Sequence, residues 1–214
     1  MRDNSDYALR DVDTVADLVR EYPWTTFVSH VPETGLIASH YPVLLDEEAY
    51  ASGRGIVLLS HMGRPDEEKH DLGNHDVLAI VQGPHGYISP SWYGYRPNVP
   101  TWDFAVAHLT GTVEILPDEE NLRTLDRLVE HFEKDLPDPH LLHATKENSD
   151  YAARIVHGTV GFRINVASIE AKEKMNQDKP VASIRTIVEE LCGPGLHHNP
   201  RLAARIAAVN HLDI

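Results

Sequence analysis

The residues best suited to chemistry crowd into one stretch, QGPHGYISPSWYGYRPNVPTWDFAVAHLTG. It holds Trp92, Trp102, Tyr87, Tyr93, Tyr95, His85 and His108 among several Gly and Pro. Aromatic faces and edges suit a flat conjugated ligand, and the hydroxyls of Ser89, Ser91 and Thr101 suit its polar rim. The same composition fits a barrel wall whose aromatics fill the core. A second cluster, SHMGRP at 60–65, sets hydroxyl, imidazole and guanidinium donors at a strand end, and the fork of Arg64 matches phosphate geometry. It also reads as an exposed hairpin with Arg64 solvated, followed by a solvated acidic loop in PDEEKHD. His40 in IASHYP lies on a β-run, where a lone His is usually satisfied by a backbone carbonyl. EAKEKMNQDKP, 170–180, leaves a late strand and reads as a surface connection.

Fourteen histidines invite a metal, but His30, His40, His61, His85 and His108 lack the i, i+4 pairing with a nearby carboxylate that helical sites use. His197 and His198 are adjacent, so on a regular element they point apart. Haem ligation through one His is the related alternative. The single Cys192 allows neither an internal disulfide nor a Cys-based zinc site, in keeping with a reducing, cytoplasmic setting. GxSxG, GxGxxG and P-loop patterns are absent, which removes the nucleophile-elbow, Rossmann and Walker readings.

These residues must be positioned by a strand-rich first half. Val15, Leu18, Val19 and Tyr22 recur at helical spacing, with Asp11 or Asp13 to cap the start and Pro23 to end the helix. WTTFVSHV and LIASHYPVLL flank a Gly-containing turn. GIVLLSHM and DVLAIVQ carry apolar runs that suit strands buried on both faces, and GYISPSWYGY and TWDFAVAHLTGTVEI complete the set. Strands in series without intervening helices point to an antiparallel barrel or sandwich. Leu122, Leu125, Val129 and Phe132 then form one apolar helical stripe behind Asp118, Glu119 and Glu120. A short helix over 149–156 follows. TVGFRINV alternates as a half-buried strand. Helices over 180–191 and 201–209 close the chain, which is α+β with peripheral helices and a helical C-terminus.

Lys and Arg number 19 against 33 Asp and Glu, a net charge of −14 that disfavours phosphate backbones and anionic lipid. No apolar run is long enough for a membrane span, and the polar, acidic N-terminus lacks a signal-peptide pattern. A helix-turn-helix reading of the last two helices meets a connector, CGPGLHHNP, that is too long, and only Arg201 and Arg205 on the second helix.

Taken together, QGPHGYISPSWY, VPTWDFAVAH, LLSHMGR, IASHYPVLLD and VGFRINVASIEAKEKMNQDKP resemble the PaiB family of FMN-binding negative transcriptional regulators. The resemblance covers about 24–180. It implies an antiparallel FMN-binding split β-barrel, related to pyridoxamine phosphate oxidases, over 1–180, with a helical extension over 181–214. It further implies a homodimer with flavin at the subunit interface. Carried over by position, Ser39, His40 and Tyr41 would line the isoalloxazine. Ser60, His61, Met62 and Arg64 would stand where related barrels hold the flavin phosphate, and Lys174 and Gln177 lie in a stretch that resembles the family's and would close over the cofactor. The sequence departs from the family pattern at Glu173 (usually Trp), Asn176 (usually Ser), Asp178 (usually Asn) and Asp103 (commonly Asn). Added carboxylates and a lost Trp imply weaker stacking and more negative charge near a phosphate. Three functions are in view: the regulator, a flavin-dependent oxidoreductase using a reduced nicotinamide donor, and direct DNA contact through the C-terminal helices, which the charge does not favour.

Overall fold

The computed structural model describes residues 4–213. Its helices are α1 (Val12–Glu21), α2 (Glu47–Ala51), α3 (Arg64–His70), α4 (Asp118–Glu133), α5 (Lys146–Ile155), α6 (Val181–Cys192) and α7 (Pro200–Val209). Its strands are β1 (Trp24–Val31), β2 (Gly35–Pro42), β3 (Leu44–Leu45), β4 (Val57–Gly63), β5 (Asp76–Ile88), β6 (Thr101–Ile115) and β7 (Thr159–Lys174). The sheet order is β2-β1-β5-β6-β7-β4-β3, and the pairs β1–β2, β1–β5, β3–β4 and β4–β7 are antiparallel.

The chain forms two compact units. One comprises Ala16–Val81 and His108–Ile169. In it, β1 and β2 make a hairpin registered Val31↔Gly35 to Trp24↔Pro42, with Gly35 at φ +93 closing the turn. The alternation of β1 buries Thr25, Phe27 and Ser29. β4 is buried on both faces through Ser60, as its continuous apolar run predicts. Phe27 meets Phe162 edge-on at 5.6 Å, both essentially inaccessible.

The second unit gathers residues 4–15, Gln82–Ala107 and residues 170–213. Here α6 buries Ile184, Ile187, Val188 and Leu191 and packs on α7, which buries Leu202, Ala203 and Ile206. Asn199 accepts from the Leu202 N–H and Pro200 follows as the first helical residue, so α7 starts where its capping chemistry dictates.

Four sequence expectations change. PDEEKHD is not a loop but part of α3, where Pro65, the early Asp66 and Glu67 and the late Lys69 and His70 are all helix signals. α4 does not turn its Leu122 stripe inward: Asn121, Thr124 and Leu128 are buried, and Phe132 is half exposed. The cause is close approach, since a Cβ on Gly161 would lie 2.9 Å from the Asn121 Cα, and Asn121 Nδ2 donates to the Thr159 carbonyl at 3.1 Å. YISPSWY ends β5 at Ile88 and turns through Pro90–Trp92 as a 3-10 segment, because Pro90 has no N–H for a ladder. The late strand runs through EAKEK to Lys174.

Candidate functional site

In the first unit, Ser39, His40 and Tyr41 stand on β2, the terminal strand of the sheet order. His40 is exposed and stacks on the exposed Trp24 at 6.3 Å. Tyr41 turns the other way: its hydroxyl donates to Asp66 Oδ2 at 2.5 Å, and the Gly63 N–H points to it at 3.5 Å. This bond holds the Asp66 carboxyl below its usual range, while burial and then the same carboxylate push the phenol up.

β4 supplies the next three. Ser60 and Met62 are fully enclosed, and Ser60 Oγ donates to the Pro42 carbonyl at 2.7 Å. His61 lies between them in sequence, its ring 6.3 Å from that of Tyr41, and its buried Nδ1 has no hydrogen-bond partner. Burial lowers its pKa and so favours the neutral imidazole. Arg64 opens α3 with its guanidinium already engaged. Nε donates to the His157 carbonyl at 2.7 Å, and the terminal nitrogens reach Glu67 at 3.3 Å and Asp118 at 3.8 Å. A phosphate on Arg64 would have to displace one of these carboxylates.

Lys174 and Gln177 belong to the second unit. Gln177 closes a turn, accepting from the Met175 N–H at 2.6 Å and donating to the Glu173 carbonyl at 2.7 Å. Lys174 Nζ donates to Thr101 Oγ1 and, at 3.2 Å, to the Trp102 carbonyl, with Asp103 Oδ1 4.0 Å away.

The second unit also contains an open cleft of about 530 Å³ lined by His85, Gly86, Tyr87, Trp102, Leu191, His197, His198 and Asn199. Trp102 lies nearly parallel to His85 at 6.0 Å, with its Nε1 directed at His85 Nδ1, and Tyr87 faces His197 at 4.9 Å. Trp92 meets His197 edge-on from the turn beyond Ile88. The aromatic segment thus contributes His85, Tyr87 and Trp102 to one cavity, whereas Tyr93 is buried against Tyr95 and His108 falls in the first unit. In a chain carrying 33 acidic residues, no carboxylate among the described residues lines this cleft. Its volume and ring-rich walls suit a planar conjugated ligand.

His197, His198, Leu191 and Asn199 escape the sequence reading. Both imidazoles line the cleft because the connector before α7 is irregular, so strand or helix alternation does not apply. The usable signal was Asn-Pro, a cap that fixes where α7 begins. Asn199 Nδ2 also donates to the His85 carbonyl at 3.0 Å, and a Cβ on Gly86 would stand 2.8 Å from Leu202 Cδ2 and 3.2 Å from Asn199 Nδ2, so a larger residue there would make these side-chain tips shift. Behind Trp102, Asp103 is fully buried, and desolvation raises its pKa to about 7. Asp103 and its neighbours Asn176, Glu173 and Asp178 are locally partnered. Asn176 donates to Asp103, Glu173 pairs with Arg205, and Asp178 pairs with Lys179 at 2.8 Å. Among the described residues no group of three or more His, Cys, Asp or Glu could hold a metal ion, and no helix is long and apolar enough to cross a membrane.

A family described as "Putative FMN-binding domain" matches residues 1–168. The chain is 30% identical over 189 residues to "Protease synthase and sporulation protein PAI 2" of Bacillus subtilis, covering 86% of each chain. Among solved structures it is similar to the FAD and heme binding protein from Mycobacterium smegmatis, at TM-score 0.54 and 15% identity over 78% of this chain and 69% of that one. It is equally similar to the flavocytochrome Anf3 from Azotobacter vinelandii, at TM-score 0.54 and 14% identity over 78% and 69%. At such identities the likeness speaks for the fold, α+β and of the split-barrel class.

Proposed function

As the chain belongs to this FMN-binding domain family, we propose that it binds FMN and acts as a negative transcriptional regulator of the PaiB type. The observation that supports the reading is the ring-lined cleft with no carboxylate among its described lining residues, to which the aromatic segment contributes His85, Gly86, Tyr87 and Trp102. The residues present fit a flavin ring. Trp102, Tyr87, His85 and His197 offer flat faces and edges, and Lys174 keeps its ammonium at the Trp102 carbonyl beside it. When bound, FMN supplies one- and two-electron redox chemistry, and the protein supplies binding, orientation and electrostatics.

A homodimer is the expected assembly. A second reading, a flavin-dependent oxidoreductase fed by a reduced nicotinamide, is favoured by one observation. Arg205 on α7 is tied to Glu173, which leaves Arg201 as the remaining cation on a helix that DNA contact would require to be basic.

Titration of purified protein with FMN tests the first reading. Flavin fluorescence is expected to be quenched on binding, and Trp102→Ala to weaken affinity about two- to tenfold, the scale of one lost aromatic stacking contact. A colourless protein that neither quenches FMN nor gains thermal stability from it defeats the proposal. Anaerobic addition of reduced nicotinamides separates the two roles, since only the oxidoreductase bleaches its flavin. A salt-sensitive gel shift on its own upstream region would mark direct DNA contact.

A further inference from the structure

Asp103 and Asn176 are both almost inaccessible, at 0% and 1% exposure, and one hydrogen bond joins them, from Asn176 Nδ2 to Asp103 Oδ2. Each side chain is left with a buried Oδ1 that has no hydrogen-bond partner. Two orphaned acceptors on the two members of one bonded pair are destabilising as they stand, because each has given up water for no hydrogen bond in return. A single proton removes both deficits. On Asp103 Oδ1 it would donate to Asn176 Oδ1 and close a ring of two reciprocal hydrogen bonds, as a carboxylic acid and an amide do in an apolar medium.

We propose that Asp103 and Asn176 hold one proton in such an acid–amide ring, and that its departure to solvent draws Lys174 off Thr101 and Trp102 and resets the wall of the aromatic cleft. Lys174 is poised for this, its Nζ lying 4.0 Å from Asp103 Oδ1 while it donates to Thr101 Oγ1 and the Trp102 carbonyl. The ring state leaves the ammonium on Trp102, whereas the carboxylate state offers it a buried counter-charge. The other ionisable groups acting on the pair are Asp178 and Lys179 from the turn after β7, Tyr93 after β5, and Tyr7 from the N-terminal segment. Asp178 opposes ionisation of Asp103, whereas Lys179 and Lys174 favour it, and desolvation outweighs both lysines, in line with a carboxyl neutral up to about pH 7.

The device is measurable in flavin-free protein, so its failure and that of the flavin reading are separate outcomes. Infrared titration of protein carrying isotope-labelled aspartate is expected to show one protonated carboxyl band that disappears near pH 7. Trp102 fluorescence should change over the same range when Trp24 and Trp92 are replaced by Phe. Asp103→Asn keeps both hydrogen bonds as an amide pair and should abolish both transitions with the fold intact. Lys174→Met should move the infrared transition to higher pH and erase the Trp102 response. Should Asp103→Asn not fold, the wild-type infrared band decides. A carboxylate throughout the neutral range overturns the proposal, as does a Trp102 response that survives Lys174→Met.

Discussion

Arg205 of α7 binds Glu173 of β7 through Nε, a charge-assisted bond to a carboxylate that retains only 8% exposure. Burying that carboxylate unpaired is far costlier than the net value of the pair. Arg205→Ala should therefore lower unfolding free energy by about 3 kcal/mol, read as a reduced denaturant midpoint. Replacing both residues with a packed apolar pair should recover much of it. An unchanged midpoint in Arg205→Ala would contradict the role assigned to the pair.

Gly111 passes the β7 backbone so closely that a Cβ there would sit 2.1 Å from the Asn165 carbonyl oxygen. Backbone cannot yield as a side-chain tip can. Gly111→Ala should cost at least about 3 kcal/mol or prevent accumulation of folded protein. Gly53→Ala serves as a contrast: nothing lies within 4 Å of its Cβ, and the strain comes from φ +80 alone, about 1 kcal/mol. Thermal melts compare the two.

Tyr41→Phe removes the hydroxyl that holds Asp66 in its charged form. A loss of about 1–2 kcal/mol at neutral pH is expected. The sign follows from the depressed folded-state pKa of Asp66. Its contribution is present above the ordinary carboxylate value and fades as pH falls through the lower folded value. Acid denaturation curves of the two proteins should therefore converge at low pH.

Asp103 predicts the opposite slope. Its folded-state pKa, raised to about 7 from 3.8, means that the folded protein binds a proton the unfolded chain has released. Stability from this group is complete below about pH 4 and is lost as pH rises towards 7. Folding should take up close to one proton between those limits. Urea denaturation across this range in wild type and Asp103→Asn isolates the term, which the variant should lack.

Periodicity made most of the framework legible. β6 falls where TWDFAVAHLTGTVEI alternates, and β4 is enclosed on both faces as GIVLLSHM implies. What failed was local sterics overruling pattern. Asn121 displaces the Leu122 stripe because Gly161 admits its backbone, and Pro65 starts a helix in a segment whose charge suggests a loop. The site was half legible. Tyr87, Trp102 and His85 announce themselves by composition, but no sequence rule brings His197 beside them. Ser60 and Met62 show the converse, since a motif places them in line with His61 and strand alternation turns them inward.

Asn199 does two jobs with one amide. Its oxygen caps α7, and its nitrogen holds the His85 carbonyl at the cleft. Asp would keep the first function and lose the second, Ser offers a single oxygen for both, and Gln carries the amide one methylene too far out. Position 199 is therefore filtered twice, once by helix geometry and once by the ligand wall. A variant library selected for stability alone would admit Asp and Ser there, whereas one selected for ligand retention would return Asn.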